Sequence, residues 1–267
     1  MIPKIIHYCW FGGNPLPDDA LRYIESWKKF CPDYEIKEWN ESNFDMDSYP
    51  YAREAYDSRK FAFVSDVARL YALYTEGGIY MDTDVEVLKP LDDFLKYDGL
   101  SGFESPTQIA TALMASRDLH PLVKEWLDEY KGIHFVKEDG SLDLTTNVTR
   151  ITNSCLRYGF VPDGTFQTVR EFTFFPSEYF CSKNYRTGAL NVTENTYTIH
   201  HFAGSWLDDE TRALIDAHKR IFAKYGNSRF SVVVGRLCYL YIRFRYGGIR
   251  KTVRYYARII RGNRDEK

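Results

Sequence analysis

The chain has 267 residues, a formal net charge of −2 and 44% hydrophobic residues, enough for one large domain or two small ones around a real core. No apolar run reaches the roughly 18 residues of a membrane-spanning helix, which excludes a helical span. Internal repeats and low-complexity segments are absent from the sequence, which excludes a solenoid.

Lys4 to Trp10 reads as a buried first strand, and Phe11-Gly12-Gly13-Asn14-Pro15 as the loop leaving its carboxyl end. Ligands of open α/β sheets bind beyond the carboxyl ends of strands, so Trp10 is a candidate either for flanking a ligand or for filling the core under the sheet. Asp18 or Asp19 caps a helix to about Phe30, with Leu21, Ile24 and Trp27 on one face. Pro32 ends it, and Tyr34 to Trp39 reads as a second strand. Strand, helix, strand at this length predicts parallel pairing with a right-handed crossover. Residues 40–60 read as a loop with a short helix. Phe61 to Glu76 is predicted helical from Val64, Val67, Ala68, Tyr71 and Tyr74 at three- and four-residue steps. Asp66 and Arg69 lie three apart and share a face, as a surface ion pair would.

The helix stops at Gly77-Gly78, and Ile79-Tyr80-Met81 reads as a buried strand. Asp82-Thr83-Asp84 follows, then Val85 and Val87 in strand-like alternation. Asp is a poor strand residue, so two of them at a strand edge suggest a demand for their oxygens. Hard divalent cations such as Mg²⁺ or Mn²⁺ take one or two carboxylates together with substrate phosphates. The competing reading is a solvated turn.

Gly99 to Glu104 and Ile109 to Ala115 are predicted strands. His120 to Tyr130 is a helix with Leu122, Trp126 and Leu127 inward, and His120 marks its start. Lys131 to Leu144 is a polar loop. Asn147 to Tyr158 reads as helical, and Phe172 to Pro176 as strand-like. Tyr197 to His201 reads as a strand ending in two histidines, followed by Phe202-Ala203-Gly204-Ser205-Trp206. Successive strand residues point to opposite faces, so His200 and His201 are alternatives. Asp208 begins an amphipathic helix that stops at Gly226.

From Arg229 to Lys267 there are 11 Lys or Arg against 2 Asp or Glu, a net +9, which leaves −11 on the rest. Aromatic and aliphatic residues interleave with these arginines. That fits a membrane-interface helix on an anionic surface, or a basic extension packed on protein. No nucleic-acid motif accompanies the charge, so no nucleic-acid partner is expected. The expected division is a domain over 1–227 and an extension over 228–267.

The run Phe63 to Tyr71 through Gly77 to Asp84, with the opening Ile2 to Gly12, resembles the DXD-containing glycosyltransferases of family 32. That family includes capsular polysaccharide and initiating mannosyltransferases, and it is distantly similar to the large clostridial glucosylating toxins. The resemblance covers roughly residues 1–206, and it implies a GT-A-type fold: a mixed, mainly parallel sheet flanked by helices. It also implies sugar transfer from a nucleotide-diphosphate donor, a UDP-sugar being expected, with retention of configuration; no carboxylate stands out as a nucleophile, so front-face displacement is the expected mechanism. By this resemblance Asp84 binds the metal directly and Asp82 contacts ribose, sugar or metal-bound water. Trp10, Asp66, Arg69 and Tyr80 serve the donor, and Ser205 and Trp206 cover the phosphates. His201 takes the H-F-x-G position and is the expected ligand for Mn²⁺ or Mg²⁺, with His200 as alternate. The K-P-W ending of some relatives is missing.

The other classes are a nucleotidyl or phosphoryl transferase and a non-catalytic glycan-binding protein at a membrane. The expected acceptor is a growing, lipid-linked glycan. Met1-Ile2-Pro3-Lys4 runs straight into a strand, so no signal peptide is expected. Cys9, Cys31, Cys155, Cys181 and Cys238 are scattered without a C-x-x-C, as free thiols of a reducing compartment would be. In that compartment the sequons at Asn40, Asn147 and Asn191 carry no meaning. The expected location is the cytoplasmic face of the cell membrane, peripherally bound.

Overall fold

The computed structural model describes residues 1–204, 209–226 and 228–262. In chain order the strands are β1 (Ile5–Cys9), β2 (Glu35–Trp39), β3 (Gly78–Met81), β4 (Val85–Val87), β5 (Gly99–Ser105), β6 (Gln108–Ser116), β7 (Gln167–Val169), β8 (Phe172–Phe175) and β9 (Thr198–His200). The helices are α1 (Asp18–Phe30), α2 (Pro50–Asp57), α3 (Phe61–Glu76), α4 (Pro121–Glu129), α5 (Asn147–Leu156), the single turn α6 (Ser177–Phe180), α7 (Asp209–Tyr225) and α8 (Arg229–Gly262).

Among the described residues one sheet has seven strands in the order β2-β1-β3-β6-β5-β8-β7. β1 pairs parallel with both β2 and β3, as the β–α–β reading requires. β6 runs antiparallel to β3 and to β5, and β5 runs parallel to β8. Hence β2, β1, β3, β5 and β8 share one direction, and their carboxyl ends lie along one edge. This is the mixed, mainly parallel α/β sheet that the GT-A resemblance implies. β4 and β9 form a separate antiparallel ribbon just past that edge.

Apolar clusters cover both faces of the sheet. One gathers Val64, Leu70, Trp126 and Phe172 around α3, α4 and α5. The other gathers Trp27, Ile79, Leu113 and Phe180 around α1 and α6. On α1 the buried stripe is Ala20, Tyr23, Ile24 and Trp27. Leu21, expected on that face, is instead exposed, because the stripe is centred one residue earlier. Trp27 is anchored by its indole N–H, which donates to the Val85 carbonyl at 2.7 Å.

The turn from α3 into β3 requires glycine. Gly77 and Gly78 have φ of 69° and 101°, in the region glycine enters without steric cost. A Cβ on Gly77 would come within 2.7 Å of the Asp118 nitrogen, and one on Gly78 within 2.7 Å of the Ile5 carbonyl. The buried His7 ring locks this turn. Its Nδ1 accepts from the Trp39 indole at 3.0 Å, so its Nε2 carries the proton and donates to the Gly77 carbonyl at 2.7 Å. Burial lowers its pKa and keeps it neutral.

The chain divides into two compact units, Met1–Lys183 with Leu190–Ala203, and Asn184–Ala189 with the described part of Gly204–Lys267. Helix α7 therefore groups with α8, whereas the expected division placed it with the catalytic domain. The reason is side-chain packing: Leu214, Ala217 and Ile221 of α7 and Gly235, Cys238 and Tyr239 of α8 line one shared pocket.

Candidate active site

The site stands at the carboxyl edge of the sheet. Asp82 is the first residue past β3, tied to β6 by its N–H, which donates to the Ala112 carbonyl at 2.8 Å. Its Oδ1 accepts from the Tyr80 hydroxyl at 2.7 Å and lies 3.4 Å from the Arg69 guanidinium. The Val85 N–H closes a turn onto the Asp82 carbonyl at 3.0 Å, and that turn presents Asp84. Asp84 Oδ2 accepts the Ala203 N–H at 2.7 Å, and its Oδ1 faces His200 Nε2 at 3.4 Å.

Asp82, Asp84 and His200 each offer a ligand atom, and these atoms lie within 4.8 Å of one another. His201, the expected ligand, is not in that group. Its Nε2 pairs with Glu86 Oε2 at 2.8 Å, and its ring stacks on Tyr23 at 4.4 Å. Register places His201, while Asp84 lies in the turn ahead of β4 and meets His200 from there. Val85 opposes His200 and Glu86 opposes Ile199, and opposed residues of an antiparallel pair share a face. His200 therefore falls on the Val85 side. His201 follows the parity of Ile199 and lands beside Glu86.

Asp66 and Arg69 are not a surface pair. Their side chains are 11% and 6% exposed, because α3 is covered on nearly all sides. Arg69 reaches Asp66 Oδ1 at 3.0 Å, donates to the Thr111 carbonyl at 2.8 Å, and lies 4.6 Å over the Tyr80 ring. So placed, Arg69 and Tyr80 both hold the Asp82 carboxylate. Asp66 also accepts the Asn147 N–H at 3.2 Å. Trp10 lies past the end of β1, half-buried, its indole N–H donating to the Asn14 carbonyl at 2.6 Å. Ser205 and Trp206 lie outside the described residues.

The charges of the site are strongly perturbed. Burial raises Asp82 despite Arg69, and Asp84 raises it further. Burial would also raise Asp84, but the His200 charge and the bonds from His200 and the Ala203 N–H hold it at about 2. Burial would lower His200, yet Asp84 draws it well above the ordinary imidazole range. Without a metal the pair is an imidazolium facing a carboxylate. Two carboxylates and an imidazole are the donor set that Mn²⁺ and related divalent ions accept, so these residues fit a cation that replaces the proton on His200.

One site residue was not singled out from the sequence. Glu104 sits at the carboxyl end of β5, on the same sheet edge as Asp82. Burial raises its carboxyl, and the charged groups acting on it are His200, Asp82, Asp84 and Arg69. The available signal was a carboxylate at the carboxyl end of a strand, but the parallel sense of β3 and β5 depends on β6 lying between them.

Residues 17–100 match the family described as "Glycosyltransferase sugar-binding region containing DXD motif". The acidic motif in that stretch is Asp82-Thr83-Asp84, where the geometry has gathered the donors. The chain is 34% identical over 126 residues to inositol phosphoceramide mannosyltransferase 3 of Schizosaccharomyces pombe, a match covering 46% of this chain and 35% of that protein. It is 31% identical over 169 residues to an uncharacterised glycosyltransferase of Acanthamoeba polyphaga mimivirus, covering 58% of this chain and 63% of that one. The matched stretches thus span about a third of the first two curated relatives. Among solved structures, a glycosyltransferase involved in the glycosylation of the major capsid of PBCV-1 is similar at 14% identity and a TM-score of 0.42, covering 82% of this chain and 100% of that chain.

Proposed function

We propose that this sugar-binding region transfers a sugar from a nucleotide-diphosphate donor, a UDP-sugar, to a hydroxyl of a glycan acceptor, with a divalent cation held by Asp84 and His200. The observation that carries the reading is the convergence of Asp82, Asp84 and His200 at the carboxyl edge of the sheet, where open α/β sheets bind ligands. A bound Mn²⁺ or Mg²⁺ supplies neutralisation of the charge that develops on the leaving diphosphate. The chain's own residues do the positioning. Arg69 and Tyr80 fix the Asp82 carboxylate, leaving its other oxygen for ribose, sugar or metal-bound water. The Ala203 N–H fixes Asp84. In the transfer the bond from the anomeric carbon to the diphosphate oxygen breaks and a bond to the acceptor oxygen forms. The acceptor proton passes to the departing phosphate. Retention by front-face displacement is part of the proposal, and the relatives' mannosyltransferase names make a mannose nucleotide a second donor to test.

A panel of sugar nucleotides with and without Mn²⁺ tests it. Metal-dependent release of nucleotide from one donor is expected. Release of pyrophosphate, or metal-independent binding of glycan alone, overturns it.

The two histidines give a sharper comparison. His200→Ala is expected to weaken Mn²⁺ binding about 10- to 100-fold by calorimetry, and His201→Ala to leave it within about threefold, since only one imidazole faces the carboxylates. Mn²⁺ affinity should also rise with pH up to the raised His200 value, because binding releases that proton. Equal losses from both substitutions would return His201 to the ligand set.

A further inference from the structure

The second unit carries a surface that the transfer reading does not use. In α8 the segment before the break at Gly248 (φ 66°) is a continuous helix. At 3.6 residues per turn, Phe230, Val233, Leu237, Leu240, Tyr241 and Phe244 fall within an arc of about 100°. All six are exposed, Leu237 at 61%, Tyr241 at 63% and Phe244 at 55%. The opposite arc holds Ser231, Gly235, Cys238 and Ile242. The first three line the pocket shared with α7, and Ile242 is buried. One apolar face of this helix is thus satisfied by α7, and a second, larger one meets solvent. Exposed apolar patches of this kind mark interaction sites.

The charge beside the stripe says what covers it. Residues 229–262 contain nine Lys or Arg and no Asp or Glu. Arg236 borders the stripe on one side and Arg245 on the other, and both are exposed. Arg243 turns inward to Glu210 at 3.4 Å. A second copy of this segment would set Arg236 and Arg245 against the same arginines, so the face is mismatched to itself. A protein groove would have to be both apolar and acidic. An anionic lipid surface offers acyl chains to the stripe and headgroup charge to the arginines. Tyr241 has the amphipathic ring favoured at that boundary. Among the described residues no helix is long and apolar enough to cross a membrane.

We propose that the Phe230–Phe244 face of α8 docks in the plane of an anionic membrane, with the aromatic and aliphatic stripe inserted and Arg236 and Arg245 at the headgroups. This holds the catalytic unit where a lipid-linked acceptor would be.

The test is flotation of the full chain with vesicles of phosphatidylcholine alone and of phosphatidylcholine mixed with phosphatidylglycerol. Binding to the anionic vesicles, weakened by salt, is expected. Phe244→Glu and Tyr246→Glu make the same change of charge two residues apart, but Tyr246 lies outside the stripe. Phe244→Glu should lower the vesicle partition at least about tenfold more than Tyr246→Glu, because it alone loses apolar burial. Both variants are exposed-site changes, and equal melting curves establish that they fold. Sugar-nucleotide hydrolysis should be unchanged in both, and Asp84→Asn should float like the parent, so this proposal and the transfer reading fail separately. Equal loss from the two substitutions, binding indifferent to anionic lipid, or a dimer dissolved by Phe244→Glu without any flotation would each overturn the proposal.

Discussion

Replacing Asp84 by Asn is expected to lower metal-dependent turnover about a thousandfold while the chain stays folded. The size follows from the several kcal/mol that a divalent cation contributes to a leaving diphosphate, at about 1.4 kcal/mol per tenfold in rate. The amide oxygen of the substituted side chain would still accept the Ala203 N–H, so the turn and the β4–β9 ribbon keep their geometry. What disappears is the charge that draws the cation and that keeps His200 protonated. The stability of the metal-free chain should register the same loss in a defined pH window. Asp84 is held below its ordinary 3.8, so its contribution is present above that value and lost as pH falls through about 2. His200 is raised above its ordinary 6.5, so its contribution is present below 6.5 and lost as pH rises through the raised value. The pair therefore acts between those limits, and the melting curves of parent and variant should differ most from about pH 4 to 6.5. Calorimetry with Mn²⁺ and a sugar nucleotide is the decisive measurement. Unchanged Mn²⁺-dependent donor binding in the variant would remove Asp84 from the metal site.

Arg69→Met is expected to destabilise the fold by about 3–5 kcal/mol, the usual cost of breaking a buried ion pair from one side. In a domain of this size that is a fall of about 10 °C in melting temperature. The guanidinium bonds to both Asp66 and Asp82, and its removal leaves the buried Asp66 and the half-buried Asp82 without the cation they share. Burial already raises Asp66 to about 6 with the arginine present. Without it, both acids should take up protons near neutral pH. A second substitution, Asp66→Asn, should restore part of the lost stability, because it removes one of the stranded charges. Activity would not return with it, since Asp82 has lost its support. Chemical denaturation of the single and double variants checks this. A single variant as stable as the parent would mean that Arg69 does not hold the two acids together.

These two expectations rest on different kinds of information. That residues 61–76 form a helix, that Gly77-Gly78 ends it and that two carboxylates follow a buried strand were legible in the sequence. Helical period, glycine and strand length are written in near neighbours. The parallel pairing of β1 with β2 was legible for the same reason, from a β–α–β length. So was the amphipathic, acid-free character of 229–262.

Three features were decided by tertiary structure. Arg69 and Asp66 looked like an exposed helical pair, and they are buried because β6 and the start of α5, some 40 and 80 residues further on, close over α3. Periodicity along one helix cannot register a cover supplied from elsewhere. Which histidine meets Asp84 turned on the turn that carries Asp84 ahead of β4, because the ladder register alone would set Asp84 across from His201. A strand alternates its faces every residue, so the sequence shows that the two rings part but not which of them the turn meets. Glu104 joined the site through the parallel sense of β3 and β5, which exists only because antiparallel β6 lies between them. On α8 the sequence by itself determined that apolar and basic residues interleave. Which arc is spent on α7 and which is left exposed came from packing. Sequence determined the local elements and the chemistry they carry. The tertiary structure decided which of those groups meet, because pairing and cover are set by residues far apart along the chain.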